Sequence, residues 1–219
     1  MTLEQILHSY KTERYKLYSD VYNNTKVSGL LGYTDYLTYF ENYLGYYKTI
    51  DDTSQLIKYA VKGLFVNKGT LYIHPHQKVW RDKSGREQGI RDEVGNEVME
   101  NINENMYHFE KALETKSFDE LYDFIREQKT YKFGGTDIYD TALRIGSKYD
   151  IKPKTVFLHA GSLIGLKALE TKKLIEEDLS LSKTVALSEF PSIFKGMEAM
   201  HIEDFLCIKK VDLMRMGHG

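Results

Sequence analysis

The stretch Lys132-Phe-Gly-Gly-Thr-Asp-Ile-Tyr-Asp-Thr-Ala-Leu-Arg-Ile-Gly146, followed by Asp150-Ile-Lys-Pro-Lys-Thr-Val-Phe-Leu-His-Ala-Gly161, indicates the fold more strongly than any other part of the chain. An amphipathic helix pattern leads into it, and a second one leaves it. Between them, Gly134 and Gly135 allow a tight turn, because glycine has no side chain to restrict the backbone. This order is that of a helix-hairpin-helix element, in which backbone N–H groups bind a phosphate.

Phosphate binding at this turn would depend on four of its residues. Lys132 supplies a cation, Gly134 and Gly135 leave the backbone uncovered, and Thr136 begins a helix whose N-terminal dipole favours an anion. Thr136 or Asp137 is expected to cap this helix, although the carboxylate of Asp137 repels a phosphate. The same pattern is also typical of a plain connection between two packed helices, so both interpretations stay open.

Asp140 and Arg144 lie four positions apart in the helix after the turn. An acid that precedes a base at this spacing stabilises an exposed helix face, so we expect a surface ion pair. We also expect Arg144 to contact nucleic acid, and we take Asp140 as a candidate catalytic residue.

The bulk composition suits a globular protein and gives no general attraction to nucleic acid. The chain has 219 residues and a net charge of −2, which fits a single domain 1–219 or two helical lobes, about 1–80 with 170–219 and about 91–169. One cysteine, Cys207, excludes an intrachain disulfide and fits a reducing compartment. Since there is no apolar run of about 18 residues and no apolar signal core, we expect a cytoplasmic protein without membrane contact.

Apolar residues recur at helical spacing along most of the chain. Thr2 with Gln5 forms a capping box, and the helical pattern that begins at Leu56 continues to Phe65. Residues 70–74 alternate instead like a short strand. The sequence therefore predicts an all-α, mainly helical protein: a two-lobed helical bundle with a helix-hairpin-helix-like element and a small β element near 70–80.

Tyrosines dominate the helical pattern between residues 33 and 47. We expect a helix that packs these rings into the core with the hydroxyls at its rim. The alternative is an exposed ring surface that stacks on bases or contacts a protein partner.

The segment His74-Pro-His-Gln77 is a second polar cluster. On an extended segment His74 and His76 share one face, a spacing that metal sites use. A metal ion needs a third ligand that the sequence does not identify, so we predict neither a metal nor a cofactor. Together with Trp80 and Arg81, the residues His74, His76 and Gln77 are expected to contact nucleic acid, since an aromatic ring among cations can stack on a base. A solvated loop is the alternative.

Residues 155–160 fit either a strand or a helix that begins at Pro153. In the strand alternative Gly161–Gly165 becomes a tight turn and a candidate phosphate loop, which is typical of a small α/β enzyme. His159 is a candidate catalytic base, or else a hydrogen-bonded histidine between packed elements.

In their order of helix, glycine turn, helix and a further segment beginning at a proline, residues 117–170 resemble the helix-hairpin-helix DNA glycosylase superfamily. The Gly-hydrophobic-Gly turn of that family falls on Lys132, Phe133 and Gly134. Its nucleophilic lysine falls near Thr136 and its catalytic aspartate near His159, so neither group is present here. The resemblance implies the scaffold and binding of duplex DNA, with the excision chemistry altered or lost. Residues 139–146 and 158–161 also resemble uncharacterised bacterial proteins.

These features favour a DNA-binding protein with a glycosylase-like helical scaffold. If it is an enzyme, we expect a DNA glycosylase-like hydrolase in which His159 orients or activates water beside Asp140. One alternative is a non-enzymatic helical protein that binds a protein partner or a second copy of itself. The other is the α/β enzyme that binds a phosphorylated ligand at 161–165.

Overall fold

The computed structural model describes residues 1–13, 18–21, 28–30, 35–67, 69–74, 76–81, 84–85 and 87–217, and this part of the protein is mainly helical. Its α-helices are α1 Leu3–Thr12, α2 Tyr36–Lys48, α3 Thr53–Lys62, α4 Asp92–Glu104, α5 Met106–Glu114, α6 Phe118–Glu127, α7 Gly135–Lys148, α8 Ala160–Thr171, α9 Ala199–Ile208 and α10 Lys210–Arg215. The predicted all-α class is confirmed. Within these ranges no helix combines the length and the apolar character that crossing a membrane requires.

Short antiparallel strands connect the helices. They are β1 Tyr18–Val21, β2 Ser28–Leu30, β3 Leu64–Asn67, β4 Thr70–Ile73, β5 Trp80–Arg81, β6 Glu87–Gln88, β7 Thr155–Phe157 and β8 Thr184–Ala186. The first four form one sheet in the order β2-β1-β4-β3, and the others pair as β5-β6 and β7-β8. The β element predicted near 70–80 includes β4, which pairs with β3 from Asn67 opposite Thr70 to Leu64 opposite Ile73.

The predicted helix from Leu56 to Phe65 is too long. Helix α3 ends at Lys62, and Gly63 follows it with φ 61° in the left-handed region. Glycine adopts this conformation without a steric penalty, so it ends the helix and turns the chain into β3. Leu64 and Phe65 are therefore buried on a strand.

The chain divides into two compact units. Unit one contains Met1–Arg14, Thr34–Thr38 and Pro153–Gly219, and unit two contains Tyr15–Tyr33 and Tyr39–Lys152. These boundaries differ from the expected lobes, because α3 packs against α7 and α4 and so places residues 39–80 with the second unit. That the whole chain is one domain stays a prediction.

Helices α8 and α9 form the centre of unit one. Gly165 lies against the backbone of Leu206, and a Cβ atom built on it would be 2.8 Å from the Leu206 carbonyl carbon. At Gly161 such an atom would be 3.3 Å from the Cα of Cys207. Both glycines belong to α8, so the phosphate loop predicted at 161–165 is wrong. Their role is to let two helices approach closely.

Residues 155–160, for which the sequence allowed either a strand or a helix, are a strand only in their first half. Residues 155–157 form β7, which pairs with β8 from Thr155 opposite Ala186 to Phe157 opposite Thr184. The chain then enters α8 at Ala160. The strand alternative is correct for 155–157, but the segment after it is helical rather than a loop.

The core of unit two takes up the tyrosine-rich helix. Tyr39, Phe40, Tyr43, Leu44 and Tyr47 of α2 are all buried. The ring of Tyr43 packs edge-on against Phe65 and Tyr47. The prediction that the rings pack into the core is confirmed for these residues, which leaves them unsuited to stack on a base or to contact a partner. The expected position of the hydroxyls at the rim is wrong for Tyr43 and Tyr47, whose hydroxyls meet inside the core at 3.5 Å.

Candidate functional site

The segment predicted to be a helix-hairpin-helix-like element consists of α6, the turn 128–134 and α7, and the two helices pack against each other. The turn depends on Lys132, whose φ is 73°, whereas Gly134 has φ −88°. The left-handed residue of the turn is therefore Lys132, whereas Gly134 is extended and Gly135 begins the helix. Phe133 is buried and donates its N–H to the Thr130 carbonyl at 3.2 Å, which fixes the turn onto the core.

The N-terminus of α7 is capped differently from the prediction. Gly134 is the N-cap residue, and its N–H donates to Asp137 Oδ2 at 2.9 Å. Neither Thr136 nor Asp137 occupies the cap position itself. Because the Asp137 carboxylate takes the Gly134 N–H, that group cannot also donate to a phosphate.

A cavity of about 690 Å³ opens beside this turn, and we call it the turn cavity. It is lined by Glu87, Gly89, Arg91, Lys129, Thr130, Tyr131, Lys132, Phe133, Gly134 and Asp137. Tyr131 is 86 % exposed, and Lys132 Nζ lies 5.8 Å from the centre of its ring. Glu87 pairs with Arg91 through an Nη2–Oε2 distance of 2.7 Å and with Lys132 at 3.8 Å. The cavity thus combines three cations, two carboxylates and an exposed ring.

The carboxyl group of Asp137 is unusually easy to protonate. Burial raises its pKa, the Gly134 N–H partly offsets this effect, and the nearby Asp140 carboxylate raises it further, so that the pKa is about 6. Its negative charge, which opposes an anion in the turn cavity, therefore decreases just below neutral pH.

Behind the turn cavity lies a buried polar cluster, which we define as Tyr43, His74, His76, Gln77, Asp140 and Arg144. Its centre is Arg144, whose side chain is 1 % exposed. The guanidinium donates from Nη1 to the Ala60 carbonyl at 2.8 Å, from Nη2 to Gln77 Oε1 at 2.6 Å and from Nε to the Tyr43 hydroxyl. The predicted ion pair forms, with Arg144 Nη2 3.2 Å from Asp140 Oδ2, but its expected place at the surface is wrong. The pair is covered, because β4 and the following segment together with α2 and α3 pack over this face of α7. The donors of Arg144 are used inside the protein, and its predicted contact with nucleic acid does not fit this position.

Asp140 contacts both Arg144 and His76 within the cluster. Its Oδ2 lies 3.2 Å from Arg144 Nη2 and 2.9 Å from His76 Nδ1. Burial raises the pKa of Asp140, but the charges of Arg144 and His76 outweigh burial and hold the pKa well below its usual range. For His76, burial lowers the pKa, while the Asp140 charge and hydrogen bond raise it to a net value above the ordinary one.

Gln77 and His74 complete the cluster. Gln77 is buried, and its Nε2 reaches Asp140 Oδ2 at 3.4 Å and Asp137 Oδ1 at 3.5 Å, which connects the cluster to the turn cavity. The ring of His74 stacks on Tyr43 with centroids 5.0 Å apart, and its Nδ1 accepts the His76 N–H at 3.4 Å. Burial lowers the pKa of His74 well below its usual value, and the nearby His76 and Arg144 lower it further.

The structure brings many predicted residues together in unit two but not all of them. Lys132 and Gly134 line the turn cavity, and Gly135 and Thr136 follow in the first turn of α7. His159 belongs to unit one, where its N–H donates to Ser162 Oγ at 3.1 Å and its Nε2 lies 3.5 Å from Glu203 Oε1. The side chains of Trp80 and Arg81 lie outside the described part of the chain. A catalytic pairing of His159 with Asp140 stays a prediction.

Several members of the site were not foreseen from the sequence. Lys129, Tyr131 and Arg91 line the turn cavity, and Tyr43 contacts Arg144. The cation-aromatic-cation pattern of Lys129, Tyr131 and Lys132 was visible in the sequence. The position of Tyr43 was not, because only the packing of α2 on α7 selects one tyrosine of the stripe.

Comparisons of the chain with protein-family models, with curated proteins and with solved structures find no match.

Proposed function

We propose that this protein binds DNA through the turn cavity between α6 and α7. The observation that carries the proposal is Tyr131, the most exposed aromatic side chain in the part of the chain that the structure describes, which lies between Lys129 and Lys132 in sequence. An exposed ring beside cations is suited to stack on a base while the cations contact phosphates.

The backbone of the turn supports the same function. Gly134 and Gly135 are exposed, and a Cβ atom on Gly134 would contact only the Asp137 carboxylate at 3.6 Å among the described residues. A phosphate can therefore approach the start of α7, where the helix dipole and the first N–H groups favour an anion. Binding rather than base excision is proposed, because Arg144 and His76 already offset the charge of Asp140, the acidic candidate in this unit. We place this activity in the cytoplasm, where Cys207 remains reduced.

Replacing Lys129 and Lys132 together by alanine should weaken duplex DNA binding at least tenfold at low salt, because two phosphate contacts are lost. The slope of log affinity against log salt concentration should fall in magnitude by about two. Fluorescence anisotropy with a labelled duplex across a salt series measures both quantities. The matched control replaces Lys58 and Lys111, which are exposed residues of unit two outside the turn cavity, by alanine. Equal affinity and equal slope for the wild-type protein and both double variants would contradict the proposal.

DNA binding should also strengthen as the pH falls through about 6, because protonation removes the Asp137 charge that repels a phosphate. The groups that face Asp137 are Gly134 N–H, Gln77, Asp140, Arg144 and His76, and protonation of His76 adds attraction in the same direction. The variant Asp137→Asn keeps an oxygen for the Gly134 N–H but has no charge to lose.

The measurement compares wild type with Asp137→Asn at about pH 8 and about pH 5. At the higher pH we expect Asp137→Asn to bind DNA more tightly than the wild type does. Between the two pH values the affinity of Asp137→Asn should change less than that of the wild type. If both proteins change by the same factor, Asp137 does not control the pH dependence.

A further inference from the structure

Three side chains of the buried polar cluster converge from two parts of the chain. His74 and His76 come from the segment after β4, and Asp140 comes from the second turn of α7. One imidazole nitrogen of each histidine and one carboxylate oxygen all lie within 4.8 Å of one another. We propose that these three residues bind a divalent first-row transition-metal ion, with Zn²⁺ as the ion whose ligand preferences fit best. This site does not depend on the proposed DNA binding.

The two oxygens of Asp140 have different surroundings. Oδ2 is approached by Arg144 Nη2, Gln77 Nε2 and His76 Nδ1 at 3.2, 3.4 and 2.9 Å. Oδ1 accepts no hydrogen bond from any described residue, and it is not sealed from solvent, since the Asp140 side chain is 13 % exposed. Hydrogen bonds to one part of a carboxylate while another part binds a cation are the usual outer support of a metal ligand. Oδ1 is therefore the oxygen left for a metal ion.

Two of the three side chains are already in contact without an ion, because His76 Nδ1 lies 2.9 Å from Asp140 Oδ2. A bound ion would replace this hydrogen bond between the imidazole and the carboxylate.

The three ligand atoms would have to move modestly to bind one ion. Two ligands of a tetrahedral zinc ion lie about 3.3 Å apart, given zinc–ligand bonds of about 2.0–2.1 Å. His76 Nδ1 lies 2.9 Å from the other oxygen of the Asp140 carboxylate, Oδ2, so the imidazole and the carboxylate are already adjacent. The widest separation in the trio, which is below 4.8 Å, would have to shorten. His76 lies in an irregular turn, so its ring can move without distorting a helix or strand.

Three protein ligands leave a fourth position of a tetrahedral ion open. The side chain of His76 is 43 % exposed, so water or a small ligand can reach this side of the cluster. Gln77 connects Asp140 to Asp137, which lines the turn cavity, so the ion would lie next to that cavity. A site of this kind can both fix the segment after β4 onto α7 and hold an exchangeable water molecule.

The experiment titrates the purified, chelator-treated full chain with Zn²⁺ by isothermal calorimetry and with Co²⁺ by visible absorption. We expect one ion per chain, with a Co²⁺ spectrum typical of low-symmetry nitrogen and oxygen ligands. The variants His76→Ala and Asp140→Asn should each bind at least tenfold more weakly, because each loses one of three ligands. The matched control is His108→Ala, an exposed histidine of α5 in the same unit, which should bind as the wild type does.

Circular dichroism checks that every variant is folded. If Asp140→Asn does not fold, His76→Ala carries the test, since that side chain lies at the surface of the cluster. Binding that is absent in the wild type, or equal in the wild type, His76→Ala and His108→Ala, overturns the proposal. Duplex DNA binding measured with and without chelator separates this inference from the proposed function, because the lysines of the turn do not contact the metal site.

Discussion

Replacing Arg144 by methionine should destabilise the protein by about 3–5 kcal/mol, the usual cost of removing one partner from a buried ion pair. The side chain is 1 % exposed, and its guanidinium donates to Asp140, Gln77 and the Ala60 carbonyl. Methionine fills much of the volume, but it leaves Asp140 without its strongest partner and leaves the Ala60 carbonyl without this donor. The free energy of unfolding is measured in urea by circular dichroism.

The matched control is Arg126→Met, which removes an arginine from an ion pair with Asp123 on the surface of α6. That pair is 3.0 Å long and its side chains are 40 % and 51 % exposed, so its loss should change the stability by less than about 1 kcal/mol. Arg144→Lys provides a second variant if Arg144→Met does not fold. Lysine keeps the charge but cannot reproduce the planar fork of donors, so it should still destabilise the protein. Equal stability of Arg144→Met and Arg126→Met would show that Arg144 does not organise the cluster.

The second large effect concerns Gly165, for which an alanine substitution should destabilise the protein by about 1–3 kcal/mol. In an exposed helix the same change stabilises by up to about 1 kcal/mol, because alanine is the better helix former. At Gly165 the new Cβ atom would lie 2.8 Å from the carbonyl carbon of Leu206 and 2.9 Å from its Cα. These are backbone atoms of α9, so relief requires that the two helices move apart.

Gly45 of α2 is the natural control, because a Cβ atom there would meet nothing within 4 Å among the described residues. Gly45→Ala should therefore raise the free energy of unfolding or leave it unchanged, while Gly165→Ala lowers it. Thermal and urea unfolding of the two variants measure the difference in sign. A stabilising effect of Gly165→Ala would mean that α8 and α9 are not in close backbone contact.

Local features of the sequence were sufficient to predict those structural features that depend on contacts within a short segment. Thr2 and Gln5 form the predicted capping box of α1, and Ser117 accepts the Glu120 N–H at 3.4 Å at the start of α6. In the helix predicted after the turn, the apolar residues Ile138 and Tyr139 are buried. Capping and periodicity involve residues within one or two helical turns, so their physical causes are visible in a short segment.

Predictions failed where a distant part of the chain changes the surroundings of a residue. The spacing of Asp140 and Arg144 is equally compatible with an exposed and a buried helix face, and only the covering segments decide between them. Gly161 and Gly165 were ambiguous for the same reason: a glycine pair can form a loop or permit a close helix crossing. In each case the residue types were informative, but the element that packs against them and gives them their role is distant in the sequence.

The sequence by itself determined the helical class, the position of the turn between α6 and α7, and the candidate residues His74, His76, Asp140 and Lys132. Tertiary structure alone decided that Asp140 meets His76, a residue 64 positions earlier in the chain, and that Arg144 is buried behind them. The physical reason is that helix formation depends on contacts between near neighbours, whereas a polar cluster depends on which chain segments exclude water from it. For the proposed metal site, the third ligand that the His74–His76 pair lacks in sequence is Asp140, which comes from α7.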